Sequence, residues 1–198
     1  MTETWMNEGE LSPFSEILPL NCGFLSCPRL TGRDGGVTII FKEKLKCRRV
    51  MCNTYTSFEL IVFELIEPDP VLCAVIYRPP KYHIDFINDF SDFLAEIMPK
   101  YDRVLIVGDF NIHICCPSKP LVKDFLNLIE SFNLTQFVAS TTHEHGHTLD
   151  LVLSCDLPVN NINVCDATFS DHMPVLFDIS CFCSPKPRAP ARHCHLTL

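Results

Sequence analysis

At 198 residues with 47% apolar side chains, the chain is long enough to bury the core of a single globular domain. Its formal net charge of −8 excludes a generally basic, nucleic-acid-coating surface and leaves a local positive path or bound cations as the routes to phosphate. No basic N-terminal stretch precedes an apolar core, and no run approaches ~20 consecutive apolar residues, so neither a signal peptide nor a membrane span is expected. The chain therefore reads as intracellular, either nuclear or cytoplasmic. Twelve cysteines could suggest a disulfide scaffold, yet Cys73 and Cys165 sit in apolar strand-like runs where a free thiol behaves as a small hydrophobe. Most are read as reduced.

Residues 7–34 are punctuated by Pro13, Pro19, Gly23, Pro28 and Gly32, which predicts a long irregular surface segment ending at Gly35-Gly36. Three β-rich runs follow, VTIIF at 37–41, FELIVFELI at 58–66 and VLCAVIY at 71–77. Pro68 and Pro70, flanking Asp69, suit a hairpin connection between the last two. Residues 83–98 repeat apolar side chains at helical spacing, Ile84, Ile87, Phe90, Leu94 and Ile97, and Pro99 ends the pattern. RVLIVG at 103–108 is the continuous apolar run of a strand covered on both faces.

Ser118 and Pro120 suit a helix start, continued by Leu121, Phe125, Leu128, Ile129 and Phe132. Beyond it, 134–138, 148–154, 162–165 and 174–180 are short strand candidates. Pattern alone supports a mixed α/β domain over 1–180. Residues 181–198 are Pro-rich and basic, as a linker-like tail would be.

Four segments carry chemistry. TETW at 2–5 supplies Glu3, and GDFN at 108–111 supplies Asp109 and Asn111 after a buried strand. Two apart, those residues would project to one side if the strand continued, although Asp-Phe-Asn is also an ordinary turn. In TLDLVLS at 148–154, Asp150 lies among apolar residues, where an unpaired carboxylate would cost several kcal/mol to bury, so it requires a partner. Ser170-Asp171-His172 places an acid beside an imidazole. Carboxylates of this kind can hold a divalent cation and the imidazole can meet a phosphoryl oxygen, which are the needs of phosphate-ester hydrolysis. A zinc site built from His143, His145 and His147 is set aside, because Gly146 interrupts them and no CxxC pair supplies closing ligands. Cys115-Cys116 reads as loop packing.

Together with YRPP at 77–80 and the run 142–154, these segments resemble the endonuclease/exonuclease/phosphatase superfamily, the fold of pancreatic deoxyribonuclease and abasic-site endonucleases. Within it they look like the endonuclease domain of LINE-type non-LTR retrotransposon polyproteins. The resemblance spans residues 2 to about 180. It implies a four-layer α/β/β/α sandwich of two mixed β-sheets flanked by helices, lacking the family's first strand and helix. It implies a DNA substrate, Mg²⁺ or Mn²⁺ as cofactor, and hydrolysis by in-line attack of water.

Carried over by resemblance, Glu3 and Asp171 would hold the metal, and Asp109 would orient the water. Asn111 and Tyr77 would contact the scissile phosphate. Asp150 would hold His172 in its productive tautomer and keep it cationic. Arg78 would approach the DNA backbone, and Ser170 would bond phosphate or a neighbouring acid. The family's Asn at the end of an earlier strand has no counterpart ahead of Glu3, which implies impaired activity. It also keeps open an inactive remnant that binds nucleic acid or protein. A phosphatase or phospholipid-cleaving branch is disfavoured by the YRPP and TLDLVLS segments. With the family's first strand absent, one inner sheet would present an unpaired edge, and self-association through it is expected.

Overall fold

The computed structural model describes residues 2, 4, 18–27, 35–67, 69–80, 85–167 and 170–180. In chain order its elements are β1 (Cys22–Cys27), β2 (Val37–Lys42), β3 (Cys47–Val50), β4 (Glu59–Leu65), β5 (Val71–Tyr77), α1 (Phe86–Ile97) and β6 (Val104–Asp109). There follow α2 (Pro120–Ser131), β7 (Thr135–Gln136), β8 (Asp150–Cys155), β9 (Val159–Val164) and β10 (Val175–Ile179).

Six strands form one mixed sheet in the order β3-β4-β5-β6-β8-β7. β4 and β5 are the expected antiparallel hairpin, whereas β5 and β6 run parallel. A parallel pair needs a crossover, and α1 supplies it. Every residue of β5 is buried, so both faces of the sheet's centre are covered. One face, through Leu72, Ala74, Ile76, Val104, Ile106, Leu151 and Leu153, packs against α1 and α2. The helices answer with a phenylalanine layer, in which Phe90 stacks on Phe125 at 5.7 Å and Phe110 lies 5.4 Å from Phe125. Each such ring withdrawn from water contributes about 1.5–3 kcal/mol, so this layer anchors the helices to the sheet. Pro120 starts α2 because its missing N–H falls in the first turn, where no intrahelical acceptor is needed.

The opposite face packs against a second β layer. Val37 and Ile39 of β2 meet Ile61, Val75 and Tyr77, while Val159, Val175 and Phe177 gather around Val71, Cys73, Leu105 and Val152. Among the described residues this layer consists of two antiparallel ribbons, β1-β2 and β9-β10. The expected α/β sandwich is thus present as helices, a six-stranded sheet and a second β layer.

β1 corrects the expectation of an irregular segment over 7–34. Its six residues pair with β2 along their whole length, and all are half-buried. Residues 7–17 and 28–34, the side chains of Glu3 and Trp5, and the tail 181–198 lie outside the described residues. Thr2 bridges Val37, and the Thr4 N–H donates to the Gly36 carbonyl, so these two residues lie beside the start of β2. The described cysteines are free thiols. No described helix is long and apolar enough to cross a membrane.

Candidate active site

Sheet register builds the site. Glu59 is opposed to Tyr77, Tyr77 to Asp109, and Asp109 to Asp150, a row across β4, β5, β6 and β8 at one end of the sheet. Directly opposed residues project to the same face. These four therefore share the face of Ile61, Val75 and Val107, which is the face covered by the second β layer.

β6 stops at Asp109 rather than running on, so Asn111 reaches the site by a turn and not by strand alternation. Asn111 adopts a left-handed backbone with φ 48, a conformation that Asn tolerates well. Its backbone N–H donates to Asp109 Oδ1 at 2.9 Å, and its Nδ2 donates to Asp109 Oδ2 at 2.8 Å and to the Arg78 carbonyl at 2.8 Å. Both oxygens of a carboxylate that is only 2% exposed are thereby fixed in direction.

Arg78 departs from its expected place. It is 2% exposed, its Nη1 donates to the carbonyls of Phe110 (3.3 Å) and Asn111 (3.2 Å), and its guanidinium lies 5.0 Å from the Phe86 ring centre. Buried carbonyls in a turn need donors, and a planar guanidinium satisfies two at once while stacking on an aromatic face. Arg78 shapes the turn that carries Asp109 and Asn111; its charge does not reach the surface. Tyr77 is also buried, at the end of β5 beside Asp109.

Asp150 and His172 are brought together, with His172 Nδ1 2.8 Å from Asp150 Oδ2. His172 Nε2 lies 3.9 Å from Asp109 Oδ2, so the ring stands between two acids of the row. The hydrogen bond to Asp150 pushes the His172 pKa up to about 9, opposed by burial and reinforced by the charges of Asp150, Asp109 and Asp171. The imidazole is accordingly a cation at neutral pH. A raised histidine pKa stabilises the fold fully below the unfolded value near 6.5, and that contribution is lost as pH rises through about 9. Asp150→Asn is expected to return the His172 titration toward the ordinary histidine range, read by NMR of the ring. An unshifted titration would show that another group holds the charge.

The segment carrying His172 is bolted to the start of β8 by Thr142, a residue without an assigned role in the sequence reading. Thr142 is fully buried, and its hydroxyl accepts the N–H groups of Leu149 and Asp150, each at 3.0 Å. Its carbonyl accepts the Met173 N–H at 2.7 Å. One side chain and one backbone group thus tie both members of the Asp150–His172 pair to a common point. The only signal available in sequence was its place at the head of the run 142–154. Ser170 closes a local turn, its hydroxyl accepting the His172 N–H at 3.1 Å.

Of the three loop histidines, His143 and His145 have ring centres 5.0 Å apart, and the three face different partners. His143 turns toward Asp171 at 3.5 Å, His145 is largely exposed, and His147 Nδ1 lies 3.6 Å from Cys115 Sγ. The His113 ring packs 4.2 Å from that of His147, and burial, followed by the Lys119 charge, lowers its pKa.

Among the described residues, two groups place their ligand atoms within 4.8 Å of one another, Asp109 with Asp150 and His172, and His143 with Asp171 and His172. A protonated His172 has no lone pair to give, which leaves carboxylate oxygens as the strongest donors. That donor chemistry fits a hard divalent cation. Asp171, with its side chain 61% exposed, has the most open carboxylate of the three.

Comparison with known proteins agrees with this architecture. A family model described as endonuclease-reverse transcriptase matches residues 71–176, which include β5, β6, β8 and the Asp171-His172 segment. No curated protein matches the chain. Among solved structures, a 3′ phosphatase from Neisseria bound to product DNA hairpin is similar at TM-score 0.66 and 13% identity, covering 90% of this chain and 87% of the other. A 3′-5′ exonuclease from Neisseria meningitidis aligns at TM-score 0.65 and 13% identity over 89% and 86% of the two chains. An AP endonuclease from Archaeoglobus fulgidus aligns at TM-score 0.61 and 13% identity over 90% and 86%. At such identity these neighbours establish the fold alone. Because the family match covers more than half of the 198 residues, the chain belongs to the endonuclease-reverse transcriptase family, within the endonuclease/exonuclease/phosphatase superfamily.

Proposed function

We propose that this chain hydrolyses phosphodiester bonds in DNA with a divalent cation, Mg²⁺ or Mn²⁺, as a nicking endonuclease of LINE-type retrotransposon origin. The observation that carries the reading is the placement of His172, 2.8 Å from Asp150 and 3.9 Å from Asp109, with the Asp150 hydrogen bond favouring its cationic form. A fixed positive charge of this kind offsets the negative charge that grows on a phosphate as water adds to it. The bound neighbour supports a nucleic-acid substrate, since that phosphatase holds a DNA product. The family description, endonuclease-reverse transcriptase, supports an endonuclease of the retrotransposon kind.

In this reading Asp109 receives a proton from the attacking water as the P–O bond to the leaving ester oxygen breaks, that oxygen taking its proton from solvent, and the turn bonds from Asn111 fix the direction of the Asp109 oxygens. His172 Nε2–H donates to a non-bridging phosphate oxygen, and Asp150 keeps the proton on the ring. Asn111 and Ser170 line the path of the scissile phosphate, and the buried Tyr77 stands beside Asp109. Asp171 and Glu3 would hold the cation, which would supply charge neutralisation at the phosphate and a more acidic water. Arg78 serves the site by holding the turn from beneath.

Supercoiled plasmid incubated with the protein and Mg²⁺ is expected to convert to open circles, to remain supercoiled in chelator, and to be nicked again when Mg²⁺ is restored. A folded protein that binds DNA in a salt-sensitive manner but leaves the plasmid intact with both Mg²⁺ and Mn²⁺ would favour the inactive-remnant reading instead.

A further inference from the structure

We propose that His143 is a positioning residue that aims the Asp171 carboxylate at the divalent cation. This inference rests on reading Asp171 as a metal ligand. Asp171 is the acid least restrained by burial, with its side chain 61% exposed, whereas the His143 side chain is 13% exposed. A free surface carboxylate samples several rotamers, and ordering it on metal binding costs affinity.

Hydrogen bonding decides which ring nitrogen of His143 faces that acid with a proton. The backbone N–H of His145 donates to His143 Nδ1 at 3.1 Å, so Nδ1 is an acceptor and carries no hydrogen. The ring proton resides on Nε2, which stands 3.5 Å from Asp171 Oδ2. An N–H at that nitrogen restrains one oxygen of the carboxylate and leaves the second oxygen to a cation.

The backbone fixes both partners. His143 and His172 form an antiparallel bridge, the Glu144 N–H donates to the Asp171 carbonyl at 2.9 Å, and the Met173 N–H donates to the Thr142 carbonyl at 2.7 Å. The His143 ring also stands edge-on to His172, with centres 4.9 Å apart and planes at 86°. Residues 142–144 therefore clamp 171–173 through backbone bonds, and His143 is the clamp's side-chain contact with Asp171. Groups that orient metal ligands in this way typically contribute about 10- to 100-fold to metal affinity.

The test compares Mn²⁺ binding, by calorimetry and by the electron-spin signal of free Mn²⁺, in the parent, His143→Phe, His143→Gln and Asp171→Asn. Phenylalanine keeps a ring against His172 and removes the donor; glutamine places an amide N–H near the position of Nε2. His143→Phe is expected to weaken Mn²⁺ binding by about 10-fold at an unchanged melting temperature. His143→Gln should stay close to the parent. In the parent, ring ¹⁵N shifts should report the proton on Nε2 of His143. If Asp171→Asn weakens Mn²⁺ and His143→Phe does not, the positioning role is overturned while the metal reading stands. Equal weakening by Phe and Gln overturns the donor role in favour of packing. Unchanged affinity in Asp171→Asn overturns the metal reading and the inference with it.

Discussion

Replacing His172 with alanine is expected to lower the rate of plasmid nicking by roughly 10²- to 10³-fold, the usual cost of losing one preorganised donor at a developing anion. The side chain's charge stands between Asp109 and Asp150, at 3.9 and 2.8 Å. Its removal leaves two acids on adjacent strands facing each other without a cation. That repulsion predicts a second effect, tighter capture of Mg²⁺, so the rate must be compared at saturating metal for each variant. His172→Ala that nicks at the parent's rate under those conditions would remove this ring from the chemistry. The pH profile gives an independent reading. Activity in the parent should fall as His172 loses its proton near pH 9, and Asp150→Asn should move that fall to lower pH.

Gly108→Ala is expected to destabilise the fold by more than about 3 kcal/mol, which places it among the severe single substitutions. Gly108 has φ +143, and a Cβ there would lie 1.9 Å from the Ile76 carbonyl oxygen and 2.8 Å from two further backbone atoms of Ile76. No rotamer relieves a clash with the neighbouring strand's backbone, so β5 and β6 would have to separate at the residue before Asp109. Gly146 provides the control. It also has positive φ, at +78, but a Cβ would meet nothing within 4 Å. Gly146→Ala should therefore cost only the left-handed backbone penalty, about 1–2 kcal/mol. Urea unfolding of both variants tests the contrast, and equal losses would show that crowding at Gly108 is not the cause.

The elements that were legible in the sequence are those whose own residues dictate them. β5 and β6 are continuous apolar runs, α1 and α2 repeat at helical spacing, and Asp150 stands out as an acid among aliphatics. β1 and β3 were not legible, because their partners make them strands. Gly23 reads as a turn residue, yet it opposes Phe41, whose ring comes within 2.9 Å of where a Cβ would lie. β3 is the edge sequence Cys-Arg-Arg-Val, tied to β4 by the Arg48–Glu64 ion pair.

The same division runs through the site. Asp109, Asp150 and His172 stood out by residue type and order, whereas the burial of Arg78 was not legible. A charged residue is ordinarily exposed, and the two carbonyls and the phenylalanine ring that draw this one inward come from distant parts of the chain. Thr142 escaped notice for a related reason. Its value lies in the backbone groups it joins, which no side-chain pattern encodes.

The lateral row of Glu59, Tyr77, Asp109 and Asp150 ties the chemistry to the order of folding events. The β4–β5 hairpin joins neighbours in sequence and can close early, whereas the β6–β8 pairing closes a long loop that includes α2 and must await it. A slip of one residue in that late pairing would turn Asp150 to the helical side of the sheet, giving a compact but silent molecule. During refolding, helical structure should return before His172 acquires its partner, and the lag between the two is a clock for the final zipping of β8.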